Sequence, residues 1–347
     1  MNRKAVSGIM MTLLLISMLT LAFNIHVVKA SGTIYIRADG SVEGTDKIQR
    51  VGDVYTFVDN INDPIVVEKD KILIDGAGYT VQGTGIGTGI YLSYRYNVTL
   101  KNTEVTNFTY GIYLSQSSNN ILTGNIVSNN TYGIKLYPDS FNNVLIGNTA
   151  SNNHYSGIDL YWRSNNNNLT GNIASNNGEF GIHLYFSSIN TLTGNNVSNN
   201  PNGIYVYRSD NKFYHNNFIN NTVQVSTNTY SENAWDDGYP SGGNYWSDYT
   251  GMDEKGDGVG DTPYMIDESN QDNYPLMSPW SPTWNPPRVE DGEEDGEEEE
   301  EVPLWMQWWF FTIVAVVIIA LVGAIYFLKK RRLTTPIATT IPAEGTV

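Results

Sequence analysis

The chain has 347 residues, no cysteine and a formal net charge of −16. A cysteine-free chain excludes disulfides, thiolate metal sites and cysteine nucleophiles, and four histidines leave little for transition-metal chemistry. No basic face is legible, so nucleic acid is not an expected partner.

Residues 1–30 have the layout of a secretory signal peptide. Met1-Asn2-Arg3-Lys4 is cationic, an apolar run follows from Ile9 to Phe23, and Val28-Lys29-Ala30 offers a cut after Ala30. An uncleaved N-terminal anchor is the alternative for the same segment. Residues 31–64 then lead into a repetitive region spanning 65–229.

There the dipeptide Gly-Ile recurs at 89, 111, 133, 157, 181 and 203, a spacing of 22 or 24 residues. Ile and an aliphatic residue follow each Gly at one and three residues, the period of two of a strand. A second apolar point falls at Leu100, Leu122, Leu145, Leu169, Leu192 and Tyr214, and a third at Val105, Val127, Ala150, Ala174, Val197 and Ile219. Three strands this short cannot bury a core within one unit. Stacked coils can, which predicts an all-β parallel β-helix with like residues in columns. Helical solenoids are excluded by units rich in Asn, Gly, Ser, Thr and Tyr, and a leucine-rich horseshoe by the lack of its leucine consensus.

Asparagine follows the same period. One column is expected at Asn125, Asn148, Asn172, Asn195 and Asn217, another at Asn107, Asn129, Asn152, Asn176, Asn199 and Asn221. Both are expected to turn the chain in left-handed conformations and to hydrogen-bond amide to amide along the axis. Six Asn-x-Ser/Thr sequons occur. Asn97, Asn168, Asn196 and Asn220 are the stronger glycosylation candidates, since Asn107 and Asn129 share the expected ladder register.

Two residues after each Gly the side chains should point outward, giving the row Tyr91, Tyr113, Lys135, Asp159, His183, Tyr205. Two further on comes Ser93, Ser115, Tyr137, Tyr161, Tyr185, Tyr207, with Trp162, Phe186, Arg163 and Arg208 beside it. Aromatic faces with polar neighbours suit sugar rings, so Tyr137, Tyr161, Trp162, Tyr185, Phe186, Tyr207, Arg163 and Arg208 are the candidate carbohydrate-binding residues. Tyrosines stacking on exposed strands for structural reasons alone would look the same. Asp159 and His183 are the candidate catalytic pair, as an acid and base on adjacent coils. A surface charge ladder with Lys135 is the competing account of them. A glycosidase needs a second carboxyl about 5–10 Å away, and Asp139, about four residues along at ~3.3 Å each, is too far.

Residues 230–277 contain Asp253-Glu-Lys-Gly-Asp257-Gly-Val-Gly-Asp261, whose carboxylates recur in a glycine-rich loop and suit structural Ca²⁺. Lys255 and Tyr264 stand where an EF-hand would place ligands, and an Asp-Gly turn without metal is the alternative. Residues 278–303 form a Pro-rich, then acidic stalk with ten carboxylates between Glu290 and Glu301. Residues 304–328 are expected to be a transmembrane helix, opened by Trp305, Trp308 and Trp309 and stopped by Lys329-Lys330-Arg331-Arg332. Residues 329–347 would be a cytoplasmic tail. The expected product is a single-pass membrane protein with an extracellular ectodomain.

The repeats resemble those of the NosD-like right-handed β-helix proteins, also described as carbohydrate-binding and sugar-hydrolysis domains and common on archaeal surfaces. TIYIRADGSV, VYTFVDNI and ILIDGAGYTVQGTG resemble that family's N-terminal cap, and WDDGYPSGGNYWSDYTG, GDGVGDTPYMI and NYPLM its C-terminal cap. The resemblance covers residues 33–277 and implies the pectin-lyase-like fold, without implying one reaction. It also carries an association with copper delivery, for which the chain lacks soft ligands. A non-catalytic surface protein that binds glycan or builds the envelope is the leading expectation. A polysaccharide hydrolase or lyase comes second and a copper accessory protein third.

Overall fold

The computed structural model describes residues 32–228 and 231–283. The expected signal peptide, most of the stalk, the transmembrane segment and the cytoplasmic tail lie outside the described residues. Among those described, no helix is long and apolar enough to cross a membrane.

Period-two strands punctuated by Asn and Gly wind into a right-handed parallel β-helix. Each coil adds one strand to each of three sheets. The front sheet has ten strands and includes the longest, among them Thr88–Ser93, Tyr110–Ser115, Ser156–Tyr161, Phe180–Tyr185 and Asn202–Tyr207. The second sheet has nine and the third eight, mostly of three residues. Core columns are in register. Ile112, Ile134, Ile158, Ile182 and Ile204 align through the front sheet, Leu122, Leu145, Leu169 and Leu192 through the second, and Val127, Ala150, Ala174 and Val197 through the third. All are fully buried. At about 1.5–3 kcal/mol for each large apolar side chain removed from water, stacking supplies what one unit lacks.

The columns slip by one residue in the last coil. Phe213, not Tyr214, follows Leu192, and Phe218, not Ile219, follows Val197. The cause is local. Ser187-Ser188-Ile189-Asn190 in one coil becomes Ser209-Asp210-Asn211 in the next, one residue shorter.

Four corners turn each coil in the same manner. From the coil of Gln116 onward, a residue of positive φ is at most corners followed by a buried polar side chain that bonds to the neighbouring coils, whereas Asn97 and Asn107 are followed by the apolar Val98 and Phe108. The first corner follows the front-sheet strand, the second precedes the second sheet, the third joins the second and third sheets, and the fourth leads back to the front. At the first corner the buried side chains are Ser117, Ser140, Ser164, Ser187 and Ser209. At the others they are asparagines: Asn120, Asn143, Asn167, Asn190 and Asn211; then Asn125, Asn148, Asn172, Asn195, Asn216 and Asn244; then Asn130, Asn153, Asn177, Asn200 and Asn221.

This corrects the expected ladders. The column through Asn125 and Asn195 continues at Asn216, not Asn217, because of the one-residue slip. Asn107, Asn129, Asn152, Asn176 and Asn199 form no ladder. They are exposed left-handed residues with φ between 55° and 67°, and the buried amides are mainly their successors.

Each mid-ladder amide is satisfied on every side. Asn148 Oδ1 accepts the backbone N–H and the Nδ2 of Asn125 at 3.1 and 2.9 Å, while its own Nδ2 donates to Asn172 Oδ1 and Leu122 O at 3.0 and 2.9 Å. A buried polar network stabilises only under that condition. All three amide ladders donate toward the C-terminal coils, and each ends on a carboxylate there. Asn244 donates to Asp272, Asn233 passes through Asn270 to Asp267, and Asn221 passes through Gln224 to Asp248. Burial pushes the Asp272 carboxyl up to about 7, against the N–H groups of Asn244, Trp246 and Tyr274 that favour its anion.

Both ends of the solenoid are blunted. Ile48–Val51 and Val54–Phe57 pair antiparallel at the start, and Tyr264–Met265 pairs with Gln271–Asp272 at the end. Trp235 stacks on Phe213 at 4.2 Å and Trp246 on Phe218 at 4.3 Å, closing the core. Such devices keep open sheet edges from pairing with other chains.

Candidate functional site

The two outward rows of the front sheet are in the expected register. Tyr91, Tyr113, Lys135, Asp159, His183 and Tyr205 align, as do Tyr161, Tyr185 and Tyr207. The middle of the first row is nevertheless not surface. Asp159 is 1% exposed, His183 6% and Lys135 8%. The expected surface charge ladder is a buried ion cluster: Lys135 Nζ bonds to Asp159 Oδ2, and His183 Nδ1 lies 3.1 Å from Oδ1.

Aromatic side chains on both flanks make the roof. Lys135 Nζ sits 4.5 Å from the Tyr132 ring centre and 4.8 Å from that of Tyr161, and His183 packs on Phe180 at 4.8 Å. Tyr110, Tyr132 and Phe180 each immediately precede a repeat Gly, a recurrence that sequence reasoning passed over. Burial alone would raise the Asp159 carboxyl, but His183 and then Lys135 outweigh it and hold it below the ordinary carboxylate range. A carboxylate so paired and covered stays ionised and is shielded from a polymer, which suits neither general acid nor nucleophile. Asp139 is also committed, with Arg163 Nε and Nη2 on its two oxygens at 2.8 and 2.9 Å.

The second row is a stack. Tyr161 and Tyr185 lie 4.6 Å apart at 7° and Tyr185 and Tyr207 4.9 Å apart at 10°, while Tyr137 meets Tyr161 edge-on at 5.4 Å. Parallel rings cover one another's faces, so this ridge offers ring edges and one phenol group per coil. Trp162, 44% exposed, and Phe186 stand beside it with rings 5.1 Å apart, and the Arg208 guanidinium lies 5.6 Å from Phe186.

Trp162 and Phe186 are held at the first corner with φ of 54° and 48°. Tyr94, Gln116, Asp139, Arg163 and Arg208 share that conformation. Left-handed backbone costs a residue with a Cβ about 1–2 kcal/mol, and Asn tolerates it better than most. The other three corners place Asn or Gly at most of their left-handed positions, with Lys71, Ala77, Ile189 and His215 as departures. Only the first corner gives these positions to large and charged side chains throughout.

In the C-terminal loop the three aspartates turn to their own chain. Asp253 accepts the backbone N–H groups of Gly256, Asp257 and Gly258, Asp257 those of Val259 and the Tyr239 hydroxyl, and Asp261 pairs with Lys255 at 2.6 Å. Among the described residues no three His, Cys, Asp or Glu side chains are grouped to hold a metal. Of the sequon asparagines, Asn97, Asn107, Asn129, Asn168 and Asn220 are exposed. Asn196 is half-buried, with its Oδ1 sealed in and unpartnered. Ladder register therefore does not disfavour Asn107 and Asn129.

A family model described as periplasmic copper-binding protein (NosD) matches residues 51–251. The chain belongs to the NosD family. No curated protein matches it. Among solved structures it is similar to the periplasmic alginate epimerase AlgG, at 18% identity and a TM-score of 0.41, covering 56% of this chain and 71% of that one. It is also similar to the pectate lyase Pel9A, at 17% identity, a TM-score of 0.38, and coverage of 54% and 61%. A third is the enzymatically active domain of bacteriophage CBA120 tailspike protein 2, at 15% identity, a TM-score of 0.43, and coverage of 52% and 34%.

The copper of the NosD description does not fit the donors present. His154 stands at the fourth corner, His183 is buried against Asp159, and His215 at the third corner has Nε2 2.7 Å from Ser241 O. The coils contain no methionine and the chain no cysteine. Among the described residues the imidazoles are thus dispersed rather than convergent.

Proposed function

We propose that this NosD protein is a membrane-anchored surface protein whose front sheet and first corner bind an extended glycan without cutting it. One observation carries the reading: bulky aromatic and cationic residues occupy strained first-corner positions in coil after coil, whereas Asn or Gly fill most such positions at the other corners. Strain retained where a cheaper residue is available points to use of the side chain. The ridge of Tyr137, Tyr161, Tyr185 and Tyr207 presents groups at the coil repeat, an array suited to a linear polymer lying along the axis. Trp162 offers an apolar ring for sugar C–H faces, and Arg163 and Arg208 offer donors for hydroxyl or carboxylate groups. Under the ridge the Lys135–Asp159–His183 cluster is read as a support for the tyrosines. Hydrolase or lyase chemistry at Asp159 and His183 is disfavoured by their burial.

Outward placement is supported by the signal-peptide layout, the C-terminal apolar segment and the family's periplasmic description. A glycan array probed with the full-length protein in detergent tests the binding. Retention of at least one polysaccharide, lost in Trp162→Ala, is expected. No retention by any glycan would refute it.

A further inference from the structure

Three of the six sequons fall on the fourth corner, and the fold explains the coincidence. Asn107, Asn129 and Asn220 have φ of 67°, 57° and 53° and are exposed. The middle residue of each sequon, Phe108, Asn130 or Asn221, is the buried one. The corner therefore leaves the acceptor amide exposed and the threonine two residues on, Thr109, Thr131 or Thr222, at least partly so. A cleft of about 350 Å³ beside Asn107 and Asn129 is lined by both of them with Gly85, Thr131, Asn152 and His154.

The same corner contains its own controls. Asn152, Asn176 and Asn199 share the exposed left-handed geometry, but two residues on stand His154, Gly178 and Pro201, without a hydroxyl. Asn196 has the hydroxyl of Ser198 but not the exposure.

We propose that the fourth corner is a glycosylated edge, carrying N-linked oligosaccharide on Asn220 and on at least one of Asn107 and Asn129. Adjacent coils are about 4.8 Å apart, so the first sugars of the latter two would contend for one cleft. The donor is an oligosaccharide linked to a lipid phosphate, used by an extracytoplasmic transferase. The asparagine Nδ2 forms a bond to the anomeric carbon. The bond from that carbon to the phosphate oxygen breaks, its electron pair leaves with the lipid phosphate, and the amide gives one proton to a base of the transferase. Nothing is oxidised or reduced. This inference rests on the outward placement proposed above and is independent of sugar binding at the first corner.

Glycopeptide mass spectrometry of the full chain from the membranes of cells that make it is the test. Oligosaccharide mass is expected on the Asn220 peptide and on the Asn107 or Asn129 peptide, with Asn196 bare. Glycan on Asn196, or absence from either expected place, overturns the proposal. Pro201→Thr supplies the missing hydroxyl after Asn199 and should add one glycan. If it adds none while Asn220 is modified, corner geometry does not select the acceptors. A membrane-impermeant amine reagent on intact cells separates the two readings. Labelled Lys71, which is exposed, with bare asparagines refutes the glycosylated edge alone, whereas unlabelled Lys71 refutes outward placement.

Discussion

The first corner and the other three perform the same geometric task with different chemistry. The second, third and fourth place mostly Asn or Gly at the left-handed position and a buried Asn after it, coil after coil. The first places a buried Ser there from Ser117 on and varies the left-handed residue from Gln116 to Arg208. Uniformity is what a ladder requires, because each rung must present the same groups to the next. Variety at a strained position serves no ladder, which is why recognition is assigned to that side.

The largest effect expected from breaking this contrast is in a ladder. Asn172→Leu would leave Asn148 N–H, one of the two Asn148 Nδ2 protons and Leu145 O without the partners that Asn172 supplies. At ~1–3 kcal/mol for each unsatisfied buried group, about 3 kcal/mol or more of stability should go in denaturant unfolding. Asp272→Asn can keep an oxygen toward Asn244 and Trp246 only by setting its amide protons against the Tyr274 N–H, and should cost about 1–3 kcal/mol near neutrality. It also tests a pH dependence. The folded value of about 7 lies above the ordinary 3.8, so this group's contribution is full below about 3.8 and is lost as pH rises through about 7. The native protein should melt higher near pH 5 than near pH 8, and the variant should show a flatter profile.

Corner substitutions sharpen the contrast in opposite directions. Gly171→Trp, at φ 63° with open space beyond the Cα, should cost about 1–2 kcal/mol through backbone strain alone. Trp162→Asn should raise stability by roughly 0.5–1 kcal/mol by relieving that strain, yet abolish retention on a glycan array. Loss of both together would place Trp162 in the structural category instead. Smallest of all, chelation should leave the melting temperature unchanged, because Asp253, Asp257 and Asp261 are already held by N–H groups, Tyr239 and Lys255.

The coils, their core columns and both outward rows were legible from period-two apolarity and the Gly-Ile marks. What escaped has physical reasons. In Asn129-Asn130 or Asn152-Asn153 one amide is exposed and its neighbour buried, and two identical adjacent residues carry no sign of which is which. The slip in the last coil hangs on one residue missing near Asp210, invisible when counting from the next Gly. The burial of Asp159 depended on aromatic side chains from neighbouring positions closing over a row that correctly faced outward. Of the candidate site, the tyrosine register was readable, whereas the strain at Trp162 and Phe186 required backbone angles.

The common direction of the amide ladders makes the number of turns a free variable. An added or deleted whole repeat finds donors waiting on one side and acceptors on the other, so neither end piece needs redesign. The carboxylates of Asp248, Asp267 and Asp272 terminate whatever length precedes them. A lineage built this way can lengthen or shorten the solenoid by duplicating unit-sized stretches of coding sequence, while a reversed unit would oppose like groups at both of its seams.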